Sequence, residues 1–137
     1  MESPTGIGEK MGVNVRQGGF TLIELLVVMV LIALLLTIAA PRYFGSLEKS
    51  KETVLRQNLS LTREALDKYY GDTGKYPDSL EVLVNKRYLR GLPIDPITES
   101  TSTWVIVSPE DQDKGGVFDI KSGAPGNASN GTAYRDW

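Results

Sequence analysis

The sequence predicts an α+β fold built on one long helix, and three features predict it. An uncharged apolar run closes on a proline. An amphipathic pattern of helical period continues directly from it. Two short runs rich in β-branched and aromatic residues then lie on either side of a polar loop. The length of 137 residues allows one domain at most. Fifteen Lys and Arg against 17 Asp and Glu give a net charge of −2, too small to argue for nucleic acid or an anionic lipid surface. Histidine and cysteine are both absent, which excludes His- or Cys-based catalysis, Cys/His zinc sites and disulfides.

The apolar run comes first. From Leu25 to Pro41 the chain carries no charge, and extending it back to Phe20 adds only Glu24. A bilayer core needs about 20 apolar residues in a helix, so this segment reads as a single transmembrane span. A buried core helix would need more chain around it than this sequence supplies. A cleaved secretory signal would have a shorter apolar region and a small-residue cleavage site without the proline that follows Ala39-Ala40 here. Arg16 lies just before the span whether translation starts at Met1 or Met11, which places the N-terminus on the cytoplasmic side.

Pro41 lacks an amide donor and crowds the carbonyl of Thr37, so a kink or loosening is expected around residues 36–42, with Gly45 close by. Beyond it, Leu47, Val54, Leu55, Leu59, Ala65, Leu66, Tyr69 and Tyr70 share about half of the helix circumference, while Leu61 does not fit. Glu52–Arg56, Arg63–Asp67 and Glu64–Lys68 are expected as i,i+4 pairs on the wet side. Gly71 and Gly74 should end the helix near Tyr70.

The remainder reads as short pieces. Asp78-Ser79-Leu80-Glu81 resembles a capping box opening a helix to about Lys86. Leu92-Pro93-Ile94-Asp95-Pro96 is a rigid connector. Residues 103–107 and 117–121 are strands joined by a hairpin loop, whose Asp111 and Asp113 belong to a solvated tip. Residues 122–137 are irregular, with Tyr134 and Trp137 expected to pin the tail to the sheet.

Two features at the head of the apolar run call for a functional reason. Gly18-Gly19 leaves the backbone open to a peptidase, or serves as a plain hinge. Glu24 at bilayer depth costs about 2.5–3.5 kcal/mol on insertion scales, unless it snorkels to the surface. The run Gly19-Phe20-Thr21-Leu22-Ile23-Glu24, followed by an apolar span with an internal proline, resembles the class III signal of the type IV pilin and pseudopilin superfamily.

That resemblance implies a pilin-like fold: the hydrophobic first half of the helix, the rest of the helix packed on a small antiparallel sheet, and an irregular C-terminal loop. It implies a leader, residues 1–19, cut after Gly19 by a prepilin peptidase that also methylates the new amine of Phe20. Residues 20–45 would form the transmembrane and assembly half, and residues 46–137 a periplasmic head. In a filament the Glu24 carboxylate would pair with the Phe20 amine of another copy, a contact that sets register more than it adds stability.

Gly74-Lys75-Tyr76-Pro77, Tyr88-Leu89, the Leu-Pro-Ile-Asp-Pro connector and the Gly-rich tail ending in Trp137 are similar to the major pseudopilins of type II secretion. This implies a helical homopolymer working with minor pseudopilins, an inner-membrane assembly platform and an outer-membrane secretin. The subunit would be a structural protein rather than an enzyme, held in the inner membrane with one pass and then drawn into a periplasmic filament. A type IV pilus pilin for adhesion or motility, and a membrane-anchored binding module that never polymerises, are the alternatives.

Such pseudopilins usually carry an acidic calcium loop near the C-terminus. Here Pro125 stands where an acid is expected, and Asp119, Asn127, Asn130 and Asp136 are the side-chain oxygens on offer, with Asp119 and Asp136 the charged candidates. Calcium takes six to eight oxygens, so the expectation is a tail held by aromatic packing, without a cofactor, rather than by calcium.

Overall fold

The computed structural model describes residues 18–137, together with residues 3, 6, 8 and 12. Lys10, Met11 and Arg16, and with them most of the expected leader, lie outside the described residues. The chain divides into two compact units, Met1–Ala39 and Ala40–Trp137.

The main element, α1, is Leu22–Thr73. It starts two residues later than Phe20 because Thr21 caps it: the Thr21 hydroxyl accepts from the Glu24 amide at 3.2 Å, and the Leu25 amide donates to the Thr21 carbonyl at 3.2 Å. In the first unit the apolar side chains of α1 are exposed, Leu22, Met29 and Leu35 each by about two thirds or more. Among the described residues of that unit nothing covers them, and the helix is long and apolar enough to cross a membrane.

α1 also runs unbroken through Pro41, so the loosening expected over 36–42 is not present in the single chain. One missing donor costs about 3 kcal/mol, and the hydrogen-bonded turns on both sides carry it. The helix likewise passes through Gly71 and ends only at Gly74, whose left-handed φ of 76° lets its amide reach the Tyr70 carbonyl at 2.8 Å.

In the second unit Leu55, Leu59, Ala65 and Leu66 of α1 form the core with Leu80 and Leu83 of α2 (Leu80–Asn85), Trp104, Val117 and Ile120. Leu47 and Val54, expected on the same face, stay exposed along with Leu61. At 100° per residue Val54 falls at the rim of the face that Leu55 and Leu66 centre, whereas Leu47 shares the angle of the buried Ala65, five turns further along the helix. Ser79 precedes α2 in extended conformation, but its side chain makes no capping bond, so the capping box read from 78–81 does not form.

β1 (Val105–Val107) and β2 (Asp119–Lys121) pair antiparallel, with Ile106 opposite Ile120. Both are shorter than the predicted strands for a visible reason. Trp104 turns inward, its indole N–H donating to the Pro93 carbonyl at 2.8 Å, and the Val117 amide donates to the Pro77 carbonyl at 2.9 Å. The ladder therefore loses one residue or more at each end to the connector loops. The loop between the strands holds a 3-10 turn at Gln112–Lys114, capped by Asp111 and exposed as expected. Behind it the backbone of Gly115 packs so closely on Tyr76 that a Cβ would sit 2.1 Å from the Tyr76 carbonyl oxygen.

None of the three expected i,i+4 pairs, Glu64–Lys68 included, forms an ion pair among the described residues. Glu52 is buried rather than on the wet side, and Arg63 makes its ion pair with Asp119 at 2.7 Å instead of Asp67. Both follow from tertiary structure, since the tail packs where the sequence alone suggested solvent.

Candidate functional site

Two places on the chain carry groups that packing alone does not explain. The first is the head of α1. Gly18, Gly19, Phe20 and Thr21 precede the helix and are exposed. Phe20 is 80% exposed, so a large apolar ring stands in the open at the junction the sequence singles out. Glu24 falls in the first turn of α1, where its charge is favourable to the positive end of the helix. Its carboxylate is exposed and makes no ion pair with a described residue. Thr21-Leu22-Ile23-Glu24 also has the Thr-x-x-Glu spacing of an N-terminal cap. That signal was legible in the sequence and locates the helix start, which the apolar pattern alone misplaced.

The second place is the tail, residues 122–137, which α1 grips at two points. Glu52 accepts from the Ser129 amide at 2.6 Å, from the Ser129 hydroxyl at 2.7 Å and from the Tyr134 hydroxyl at 3.3 Å. The Ser129 hydroxyl bond is the main reason the Glu52 carboxyl is held below its usual range; burial works against it, while the Ser129 amide, Tyr134 and Arg56 add to it. Burial, and next the Glu52 charge, push the Tyr134 phenol up.

Arg63 lies eleven positions further along α1. Its Nε donates to Asp119 Oδ1 at 2.7 Å, and its Nη2 donates to the Ile120 carbonyl at 3.0 Å and to the backbone oxygen of Trp137. Arg56 stacks over the Trp137 ring at 4.3 Å. Tyr134 is buried, and Tyr134 and Trp137 meet edge to face at 5.4 Å. The short turn that carries Tyr134 lies against β2, as expected, but the polar ties of these aromatics run to α1 and to Thr132.

A third polar centre was missed in the sequence. Asp95 is fully buried: Oδ1 accepts from the Ile97 amide at 2.9 Å and Oδ2 from the Ser122 hydroxyl at 2.6 Å. Together with the Asn58 side chain, which donates to the Ile94 carbonyl at 2.8 Å, it fixes the Leu-Pro-Ile-Asp-Pro connector against α1 and the start of the tail. Asp before Pro at a turn was the available signal.

Two of the side-chain oxygens on offer for calcium have partners within the fold. Asp119 is engaged by Arg63 and by the Ile120 amide, and Asn130 accepts from Thr132 through both its amide and its hydroxyl. Asp136 is exposed, and among the described residues no three acidic, His or Cys side chains converge.

These features define a pilin-like protein: an apolar helical half headed by a Gly-Phe junction and a lone acid, and a small α+β head. Residues 14–40 match the family described as "Prokaryotic N-terminal methylation motif". Beyond the motif, the chain is 34% identical to the type II secretion system core protein G of Pseudomonas aeruginosa over 97 residues, covering 59% of this chain and 68% of the relative. It is 32% identical to that of Escherichia coli K12 over 126 residues, covering 80% and 83%. It is 29% identical to that of Vibrio cholerae over 138 residues, covering 89% and 92%. The chain belongs to the type II secretion system core protein G family. No solved structure matches it.

Proposed function

We propose that the chain is the repeating structural subunit of a periplasmic pseudopilus that drives protein export by type II secretion. The observation that carries this reading is Glu24, an exposed carboxylate in the first turn of an apolar helix, four residues after Phe20. Hydrolysis of the Gly19–Phe20 peptide bond would free an α-amino group at Phe20, and methylation would keep its positive charge. In a second copy that amine is a partner for Glu24, and the pair would fix the axial register of neighbouring helices.

Before assembly the subunit sits in the inner membrane by its single apolar span, with the leader cytoplasmic and the head periplasmic. On assembly the apolar half exchanges lipid for the apolar halves of other copies. The peptidase, the minor pseudopilins, the inner-membrane platform and the secretin are the partners that this role requires. The role is structural, and no catalytic step is assigned to the chain. The core protein G relatives favour this reading over a pilus for adhesion and over an anchor that does not polymerise.

Intact mass and N-terminal peptide mapping of protein extracted from membranes with an active prepilin peptidase test the processing. The expected product begins at Phe20 carrying one added methyl group. A mature chain that retains Arg16, or begins at an unmethylated Phe20, overturns the reading.

A further inference from the structure

We infer that two charged side chains of α1, Glu52 and Arg63, anchor the 122–137 tail without a bound metal, with the Arg63 guanidinium serving in place of a metal cation. This goes beyond the filament role, and it does not depend on it.

The argument rests on what Arg63 gathers. Its acceptors are a carboxylate oxygen of Asp119 and two backbone oxygens, those of Ile120 and Trp137. A charged acid with main-chain carbonyls is the kind of oxygen set that a hard cation collects from a loop. A guanidinium meets the same need with a fixed fork of five N–H donors and a permanent positive charge. It arrives here from a rigid helix, so the loop needs no ion to order it.

Glu52 complements it with the opposite sign. Its two oxygens take the amide and hydroxyl of Ser129 and the hydroxyl of Tyr134. Eleven residues make three helical turns plus about 20°, so Glu52 and Arg63 lie on one side of α1, about 16 Å apart along its axis. One grips the middle of the tail. The other ties the end of the tail to β2. The glycine that opens the tail is built for a close approach as well: a Cβ at Gly123 would lie 2.0 Å from the Thr103 carbonyl oxygen.

The proline at position 125, where an acid is expected, is then explained. With Arg63 already on Asp119 Oδ1, a calcium ion at the same carboxylate would share its charge with the guanidinium and bring two positive charges close together. Pro125 stands in the tail at no cost to a ligand set, because none is needed there.

Amide hydrogen exchange and thermal unfolding of the full chain in detergent micelles test the inference, in chelator and in millimolar calcium. The expected result is that tail protection and melting temperature are the same in both. Arg63→Met and Glu52→Gln should each speed exchange of the tail amides by about tenfold or more, equivalent to about 1.4 kcal/mol of local opening. Arg63→Lys should recover only part of the Arg63→Met loss, since it restores the charge without the fork. The inference is overturned if calcium raises protection of the tail in the unaltered chain. It is equally overturned if Arg63→Met leaves tail exchange unchanged. The calcium comparison uses the unaltered chain, so it decides the matter even if a variant does not fold.

Discussion

The two units share one helix and treat it in opposite ways. From Leu22 to Ala39 the side chains of α1 are apolar nearly all the way round and exposed. From Leu55 onward the apolar residues apart from Leu61 keep to one face, and that face packs against α2, the connector and β2. A helix that is apolar on every side has no polar face to give to water, so it must find its apolar surroundings outside the chain, in lipid or in other copies. A helix with one apolar face can be satisfied by about 60 residues of covering loops and short strands. The difference lies in the pattern, not in the helix. Glu24 is the exception in the first region and Glu52 in the second. Each is an acid on an otherwise apolar surface, and only Glu52 has its partners within the described chain.

The sharpest way to break this contrast is at Glu24. Glu24→Val should leave membrane insertion and the melting of the head unchanged, since the carboxylate makes no ion pair with a described residue. Insertion should if anything improve, because a costly group is removed. Filament yield in a shearing assay should drop by on the order of tenfold or more, the loss expected for a contact worth about 1.4 kcal/mol or more. A normal yield would remove the register role of Glu24.

A pair of leucines on the same helix sharpens the contrast within the head. Leu66→Ala deletes a fully buried side chain and should destabilise the head by about 2–5 kcal/mol. Leu61→Ala, five residues earlier and half exposed, should change it by no more than about 0.5 kcal/mol. Denaturant melts of the full chain in detergent measure both. Equal effects would mean that α1 has no buried face in the head.

The smallest effect is on pH dependence and isolates the acid of the second region. The folded-state value of Glu52 lies below its ordinary 4.5. Its ionised form therefore contributes stability that is fully present above pH 4.5 and is lost as pH falls from there through the depressed folded value. Ser129 and Tyr134 face it from the tail, and Arg56 and Glu48 share its helix. Glu52→Gln should be less stable than the unaltered chain at neutral pH, and the gap should close on acidification. A gap that persists at low pH would show that the side chain acts by shape rather than by charge.

Much of this protein was legible in the order of its residues. The apolar run, the Gly19-Phe20 junction and the lone Glu24 depend on local chemistry: a span of sufficient length, a backbone without side chains, a charge where charge is costly. The period of Leu55, Leu59 and Leu66 located the core face for the same reason, because helical geometry turns spacing into direction.

What the sequence could not decide were the partners of side chains that reach across the fold. Glu52 and Arg63 have respectable partners four residues away, and i,i+4 pairs on a wet helix face are worth only a few tenths of a kcal/mol. The tail, some 60 to 80 residues later in the chain, outbids those local pairs by offering several hydrogen bonds in a protected place. The ends of the strands and the burial of Asp95 were settled in the same way, by connector carbonyls and hydroxyls that only folding brings near. Even Glu52 left a trace: it precedes Leu55 by three and Leu59 by seven, which puts it on the core face. Spacing told where the acid points, and only the tertiary structure supplied Ser129 and Tyr134 to meet it, because loop positions far apart in sequence follow no period.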